Sequence, residues 1–306
     1  MSALRLAVYS EKGGVGKTSI TNGLAAVAAA EGLKVLVGDL DPRATASKEL
    51  GVPIRENGDT DVFTVNDLLA IELGDDDPVD PREAIGDIVH PAGEAWPENV
   101  KVLPAERKLQ NREADQAPIE MRLGLGLSAL ADDVDLILFD MPPRAAGKLV
   151  IAGLCALGDK GGVLVPTTLT TDGLDGVAQA FRTVKLMRQG AAPDLQISGI
   201  VRSDVPKDRD LRAINREMDA LLFEREDATL GPWKDYVLGD PLPVGTSNGE
   251  DDVPARYLVR HYAIREEARW ARVPITAAPG REARRLVGIY RDILDHQWQQ
   301  HGKGRL

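Results

Sequence analysis

A glycine-rich segment near the N-terminus places the strongest constraint on the fold of this chain. Residues 11–19 read Glu-Lys-Gly-Gly-Val-Gly-Lys-Thr-Ser, and they follow an apolar run at residues 4–9 that is typical of a buried strand. Apolar residues at helical spacing occupy 18–31 directly afterwards, and Gly32 is suited to end that helix. A second apolar run at 34–40 completes a strand–helix–strand unit, whose two strands are expected to be parallel.

The composition of the segment is suited to holding phosphate groups. Its glycines allow backbone N–H groups to turn inward around an anion at the start of a helix. Lys17 would reach the β- and γ-phosphates, and the Thr18 hydroxyl would be a Mg²⁺ ligand. Glu11 stands where the loose G-x-x-x-x-G-K-[ST] pattern has its first glycine, but the whole string between a strand and a helix is far more specific. The predicted nucleotide-binding residues are Lys12, Gly13, Gly14, Val15, Gly16, Lys17, Thr18 and Ser19.

Carboxylates end two other predicted strands. Asp39 and Asp41 lie at the end of the second strand, where period-2 alternation puts both on one side of the extended chain. On this spacing alone, a pair of ordinary strand-end acids is the more common interpretation. A strongly apolar strand at residues 135–139 runs directly into Asp140, and a carboxylate in that position is what a Mg²⁺–water shell needs.

The segment from Lys12 to Thr18 resembles the deviant Walker A motif of the ParA/MinD/Soj ATPases. The resemblance implies ATP and Mg²⁺ as cofactors, with Thr18, Asp39 and Asp140 near the metal. It also implies an ATP-bound homodimer in which Lys12 reaches the partner's nucleotide. By the same resemblance the catalytic residues are Lys12, Lys17 and Asp41, with Asp41 positioning the attacking water.

Two residues depart from the pattern of that family. Arg43 stands where the family usually has glutamine, and Met141 where it usually has a small polar residue. Arg202 and Ser203 occupy the place of an expected asparagine, so adenine contacts are placed at Arg202 and Pro243.

The predicted fold is α/β, a mostly parallel twisted sheet flanked by helices, of the P-loop NTPase type. We expect one domain over residues 1–306, with surface insertions around 51–99 and 244–262. Further strands are predicted at 101–104, 162–165, 197–201 and 236–238, and helices at 63–72, 121–131, 175–188, 211–223 and 281–299.

The charge of the chain is unevenly distributed. The net charge is −11, but residues 256–306 carry 11 Lys and Arg against 5 Asp and Glu, so the preceding 255 residues carry −17. A solvated helical face explains the basic end equally well on charge count alone. The resemblance implies non-specific DNA binding by the ATP dimer and a ParB-like or adaptor partner. The predicted DNA-binding residues are Arg269, Arg281, Arg284 and Arg285.

Three alternatives stay open at this point. A MinD-like protein would lay an amphipathic helix at 281–299 on a membrane, although such a stripe more often docks on its own domain. A ParA-like protein could also position a cargo other than DNA. Iron–sulfur or metalloid-pump relatives use paired cysteines, whereas Cys155 is the only one here and is expected to be buried. The chain carries neither a secretion signal nor a long apolar run, so we expect a cytoplasmic protein, and the resemblance implies that it is associated with the nucleoid.

Overall fold

A parallel sheet forms the centre of the computed structural model, which describes residues 3–54, 62–70, 79–115, 119–130, 133–207, 210–242, 257–302 and 304. Within these residues the sheet has seven strands in the order β3-β4-β2-β5-β1-β6-β7, all parallel except β3. The strands are β1 (Leu4–Val8), β2 (Val35–Asp39), β3 (His90–Pro91), β4 (Val100–Leu103), β5 (Leu136–Asp140), β6 (Gly162–Thr167) and β7 (Gln196–Arg202). A separate antiparallel pair consists of β8 (Glu226–Asp227) and β9 (Gly231–Pro232).

Helices cover both faces of the sheet. They are α1 (Lys17–Ala30), α2 (Thr45–Glu49), α3 (Val65–Leu69), α4 (Pro81–Ile88), α5 (Arg122–Ser128), α6 (Lys148–Cys155), α7 (Thr171–Arg188), α8 (Ala213–Glu224), α9 (Ala263–Ala271) and α10 (Arg281–Gln300). Short 3₁₀ turns lie at Arg107–Ala114, Ile119–Met121, Gly158–Lys160, Trp233–Asp235 and Ile275–Ala277.

The apolar strands are buried because helices lie on each side of them. Leu4, Leu6 and Val8 of β1 pack in one apolar cluster with α1 and α10, whereas Ala7 packs in another with α6 and α7. This division follows from the alternation of side chains along a strand. Strands that are covered on both faces have near-continuous apolar sequences, as β1, β2 and β5 do here. The predicted fold class is confirmed.

The last helix is docked on the domain. Its apolar side chains, among them Leu286, Ile289, Tyr290 and Ile293, are buried, and Gly23 of α1 leaves room for the ring of Tyr290. No helix of the described residues is both long enough and apolar enough to cross a membrane.

Some predictions from the sequence were wrong or only partly right. The strand expected at 236–238 is only an isolated bridge between Val237 and Ile200 of β7. Cys155 is half-buried, since it lies in the last turn of α6 with its sulfur near the backbone oxygen of Ala191. The expected insertion at 51–99 contains α3, α4 and β3, and most of the one at 244–262 lies outside the described residues.

Candidate active site

The predicted phosphate-binding and metal-binding residues meet at the carboxyl edge of the sheet. Strand β5 lies between β1 and β2, and the register sets Asp140 level with both Val8 and Asp39. The loop after β1, the acids after β2 and the end of β5 are therefore neighbours. This edge is the usual place for a ligand in an open α/β sheet.

The glycine-rich loop leads into the N-terminus of α1. Gly14 and Gly16 have φ values of 77° and 84°, in the left-handed region that favours glycine. Gly16 is the N-cap of α1 and offers no side chain to the first N–H groups of the helix. Those N–H groups and the helix dipole favour an anion at this position.

Lys17 is buried in the first turn of α1, and its amine lies across the loop. Nζ donates to the backbone oxygens of Ser10, at 3.1 Å, and Lys12, at 2.8 Å. Burial lowers the pKa of Lys17, while the carboxylates of Asp140 and Asp41 act in the opposite direction. A cation that is desolvated and held by neutral carbonyls is ready to exchange them for phosphate oxygens.

Asp140 is a buried carboxylate with unused capacity. Its Oδ2 accepts a 2.6 Å hydrogen bond from the Thr18 hydroxyl, and its Oδ1 has no hydrogen-bond partner among the described residues. Burial, followed by the charge of Asp39, raises the pKa of Asp140 well above its usual range. A divalent cation would remove this penalty, and a carboxylate beside a threonine hydroxyl is the oxygen donor set that Mg²⁺ prefers. The residues therefore fit a magnesium ion.

Asp39 is fully buried and is engaged by α2. Its Oδ2 accepts from the backbone N–H of Ser47, at 2.9 Å, and from the Ser47 hydroxyl, at 2.8 Å. Its Oδ1 accepts from the backbone N–H of Asp41 at 3.1 Å. Burial raises the pKa of Asp39 to about 7, against the effect of these hydrogen bonds. Asp39 thus connects the candidate metal position to α2. It contributes negative charge near the metal position, but both of its oxygens already accept hydrogen bonds.

Lys12 and Asp41 lie at the rim of the site. Lys12 is half-exposed, and its aliphatic stem lies against Gly176 of α7. Asp41 is also half-exposed, and its Oδ1 accepts from the backbone N–H of Arg43 at 3.0 Å. Both residues are half-exposed, and their roles in catalysis stay predictions.

Sequence reasoning missed the contacts that hold the loop. Glu11 accepts a 3.0 Å hydrogen bond from the Thr183 hydroxyl of α7, so the residue in the place of the first glycine fixes the loop to that helix. The hydroxyl of Tyr9 donates to the backbone oxygen of Arg144 at 3.0 Å. On the other side, the Ser203 hydroxyl donates to the backbone oxygen of Val15. Of these contacts, only that of Glu11 had a signal in the sequence, because Glu11 stands where the loose phosphate-loop pattern has its first glycine.

The structure does not support an adenine contact by Arg202. Its side chain is fully buried, and its NH1 donates to Asp219 and to the backbone oxygen of Asp240, both at 2.9 Å. NH2 donates to the backbone oxygen of Leu238 at 2.8 Å. These partners occupy the guanidinium inside the protein. The other predicted adenine contact, Pro243, lies outside the described residues.

The predicted DNA-binding arginines differ in ion pairing and in the exposure of their side chains. Arg269 is paired with Glu49, at 2.6 Å, and with Glu266, at 2.9 Å, so its charge is compensated. Arg281 and Arg284 are exposed in the first turn of α10, and Arg285 is half-buried. The structure thus separates a neutralised arginine on α9 from exposed ones on α10.

Comparison with known proteins agrees with this geometry. A family model described as an AAA domain matches residues 4–197. The sporulation initiation inhibitor protein Soj of Bacillus subtilis is 32% identical over 199 residues, which are 64% of this chain and 70% of Soj.

Solved structures with a similar fold include ATP-bound proteins. Cobyrinic acid a,c-diamide synthase of Mycobacterium smegmatis, with a bound ATP analogue and magnesium, is 29% identical with a TM-score of 0.62, over 79% of this chain and 87% of that one. A variant of Cyanothece McdA in complex with ATP shares the fold over 97% of both chains, with a TM-score of 0.71 at 17% identity. The AAA-domain model matches more than half of this chain. The match to Soj covers more than two thirds of that protein. The same chain contains the glycine-rich loop, the buried lysine and the strand-end acids. The chain therefore belongs to the AAA-domain family, as a P-loop ATPase of the ParA/MinD type.

Proposed function

We propose that the chain is a DNA-partition ATPase whose ATP–Mg²⁺ site is formed by residues 12–19 with Asp140, and whose hydrolysis switches a dimer. The observation that carries the proposal is the contact of Thr18 with Asp140 beside Lys17. A buried carboxylate with a free oxygen, next to a buried lysine and a helix N-terminus, has the right charges for a metal-bound triphosphate.

In this proposal the phosphates are held by the chain's own donors. The N–H groups at the start of α1 bind them, and Lys17 exchanges its two carbonyl partners for phosphate oxygens. When bound, Mg²⁺ neutralises charge that develops on the transferred phosphoryl group. Thr18 and Asp140 would hold the metal, and Asp41 would orient the attacking water.

The switch depends on Lys12. Lys12 is half-exposed at the rim of the site, and in this proposal its amine reaches a nucleotide held by a second copy of the chain. An additional cation at the β–γ bridge stabilises the transition state, so hydrolysis requires the closed dimer. Hydrolysis breaks the bond between the β- and γ-phosphates, and release of the phosphate product then removes the charge that holds the two copies together. We further propose that the dimer binds DNA non-specifically in the cytoplasm, on the nucleoid, and that a ParB-like partner stimulates turnover.

A membrane-positioning function has less support. It needs an α10 whose apolar side is free to enter lipid. That side is buried against α1 and the sheet, as Leu286, Ile289 and Ile293 show. Release of α10 would expose a large part of the apolar cluster that it shares with β1.

The test is the molecular mass in solution with ADP and with ATP–Mg²⁺. We expect a monomer with ADP and a dimer with ATP–Mg²⁺ in the wild type, and a longer-lived dimer in Asp41→Ala. Lys12→Ala should bind ATP yet stay monomeric, whereas the exposed Asp133→Ala serves as the matched control and should behave as the wild type. A mass that is the same with both nucleotides would refute the switch.

A further inference from the structure

A surface groove lies between the end of α2 and the helix α9. It has a volume of about 380 Å³ and is lined by Lys48, Glu49, Glu266, Arg269, Trp270 and Arg272. This groove, called here the α2–α9 groove, lies outside the nucleotide loop.

Trp270 is unlike the other tryptophans of the chain. It is 88% exposed, whereas Trp96, Trp233 and Trp298 are 7%, 4% and 8% exposed. Trp270 is in the last turn of α9, which ends at Arg272 in the left-handed conformation, with φ 55°. A fully exposed indole has no role in the core, and indoles are enriched where proteins meet other molecules.

The groove offers two cations beside this indole. Lys48 and Arg272 are exposed, and the Lys48 amine donates a 3.1 Å hydrogen bond to the backbone oxygen of Arg43. The acids of the groove, Glu49 and Glu266, are both paired with Arg269. Cations flanking an exposed aromatic ring are suited to a polyanion such as duplex DNA, whose phosphates contact the cations and whose sugars contact the ring.

The wall of the groove is also connected to the nucleotide site. Ser47, which binds Asp39, is followed directly by Lys48 and Glu49 at the end of α2. Glu49 accepts a 2.9 Å hydrogen bond from Asn22 of α1, in the second turn after the phosphate loop. The position of Lys48 and of the Glu49–Arg269 pair therefore depends on the segment that holds the strand-end acids.

We infer that the α2–α9 groove is a contact surface for duplex DNA. Lys48 and Arg272 contact phosphates, and the Trp270 indole contacts deoxyribose sugars between them. The inference rests on the proposed function for its partner, and it names a surface that the sequence did not indicate. It also places the aromatic contact on α9, a different helix from the one that begins with the predicted DNA-binding arginines, α10.

The first experiment uses tryptophan fluorescence of the full chain with a non-hydrolysable ATP analogue and Mg²⁺. Since only Trp270 is exposed, a random-sequence DNA duplex should quench the exposed part of the emission. Trp270→Phe should remove that quenching. Quenching that persists in Trp270→Phe, or that is produced by polyglutamate and not by DNA, would overturn the inference.

The second experiment measures duplex affinity against salt. Lys48→Ala and Arg272→Ala should each lower the salt slope by about one, because each removes a phosphate contact. Trp270→Ala should weaken binding about ten-fold with the slope unchanged, since an aromatic contact releases no counterions. Glu267, an exposed acid one helical turn before Trp270, should repel the duplex, so Glu267→Gln should bind more tightly.

Controls separate this inference from the function on which it rests. Lys234→Ala and Leu186→Ala remove an exposed cation and an exposed apolar side chain elsewhere, and they should leave affinity unchanged. Basal ATP hydrolysis should be normal in every variant, which also reports correct folding. If the wild type binds duplex but the groove variants bind equally well, the inference fails and the proposed function stands. If the wild type binds no duplex with ATP, the DNA-binding part of the proposed function fails as well.

Discussion

Two buried ionic clusters lie on this sheet, and they differ in whether their charges are satisfied. At the ends of β2 and β5, Asp39 and Asp140 are buried together with Lys17, and Asp140 retains an oxygen without a partner among the described residues. At the end of β7, Arg202 and Asp219 form a direct pair at 2.9 Å with both side chains fully buried. The first, open cluster is arranged for a charged ligand. In the second, closed cluster the two charges are paired with each other, and Arg202 Nε is the atom of the pair that has no hydrogen-bond partner among the described residues.

The closed cluster has a structural task. Arg202 also holds the backbone oxygens of Leu238 and Asp240, and Asp219 accepts from the backbone N–H of Leu242 at 2.6 Å. The pair thus fastens the segment 238–242 to β7 and α8. Buried charges whose desolvation cost is offset by partners within the protein indicate a structural role. Buried charges without such partners indicate a binding site.

The largest expected effect comes from breaking the closed pair. Arg202→Met leaves the Asp219 carboxylate buried without its partner, and we expect a loss of about 3–5 kcal/mol in the free energy of unfolding. Urea unfolding measures this loss. The double variant Arg202→Met/Asp219→Leu should be less destabilised than the sum of the two single variants, because the uncompensated charge is gone.

The same variant tests the adenine contact that the sequence suggested. Where Arg202→Met is still folded, its affinity for ATP should be close to that of the wild type, since the buried guanidinium contacts only protein. An affinity that fell while that of Asp219→Leu did not would return Arg202 to the nucleotide site.

The second prediction concerns the open cluster. Asp140→Asn removes a carboxylate that the metal needs, and we expect hydrolysis to fall by about 10²–10³-fold, as when one preorganised catalytic group is lost. Without ligand the variant should melt no lower than the wild type, because burial already disfavours the charged form of Asp140. The increase in melting temperature on addition of ATP–Mg²⁺ should shrink.

The matched control for Asp140, which ends β5, is an acid that lies just before the same strand. Asp133 is exposed just before β5, and Asp133→Asn should change neither hydrolysis nor melting. A ligand-free Asp140→Asn protein that melted well below the wild type would mean that this carboxylate supports the fold, and the distinction between open and closed clusters would be lost.

The open cluster could be predicted from the sequence and the closed one could not. Lys17, Thr18 and Asp140 stand in a local string and at the end of an apolar strand, so the parallel sheet alone brings them together. Arg202 and Asp219 are 17 residues apart on a strand and a helix, and no local pattern shows that they pair. Likewise, the exposed Trp270 follows from how α9 packs, which periodicity in a nine-residue helix does not determine.

The smallest expected effect concerns the residue that joins the two clusters. Ser203 follows Arg202, is fully buried, and donates its hydroxyl to the backbone oxygen of Val15 in the phosphate loop. Ser203→Ala leaves that oxygen without this donor, and we expect a loss of about 1–2 kcal/mol in the free energy of unfolding. Because the loop is less firmly held, ATP affinity should also weaken slightly, which calorimetric titration would measure.

Ser198 in β7, the strand that directly precedes Ser203, provides the matched control. It is buried, but its hydroxyl has no partner among the described residues, so Ser198→Ala should change stability by much less. If both serine variants weaken ATP binding equally, the effect comes from β7 as a whole. If only Ser203→Ala weakens ATP binding, the Ser203 hydroxyl is the contact through which the closed cluster holds the phosphate loop in place. The shape of the open cluster then depends on the closed cluster.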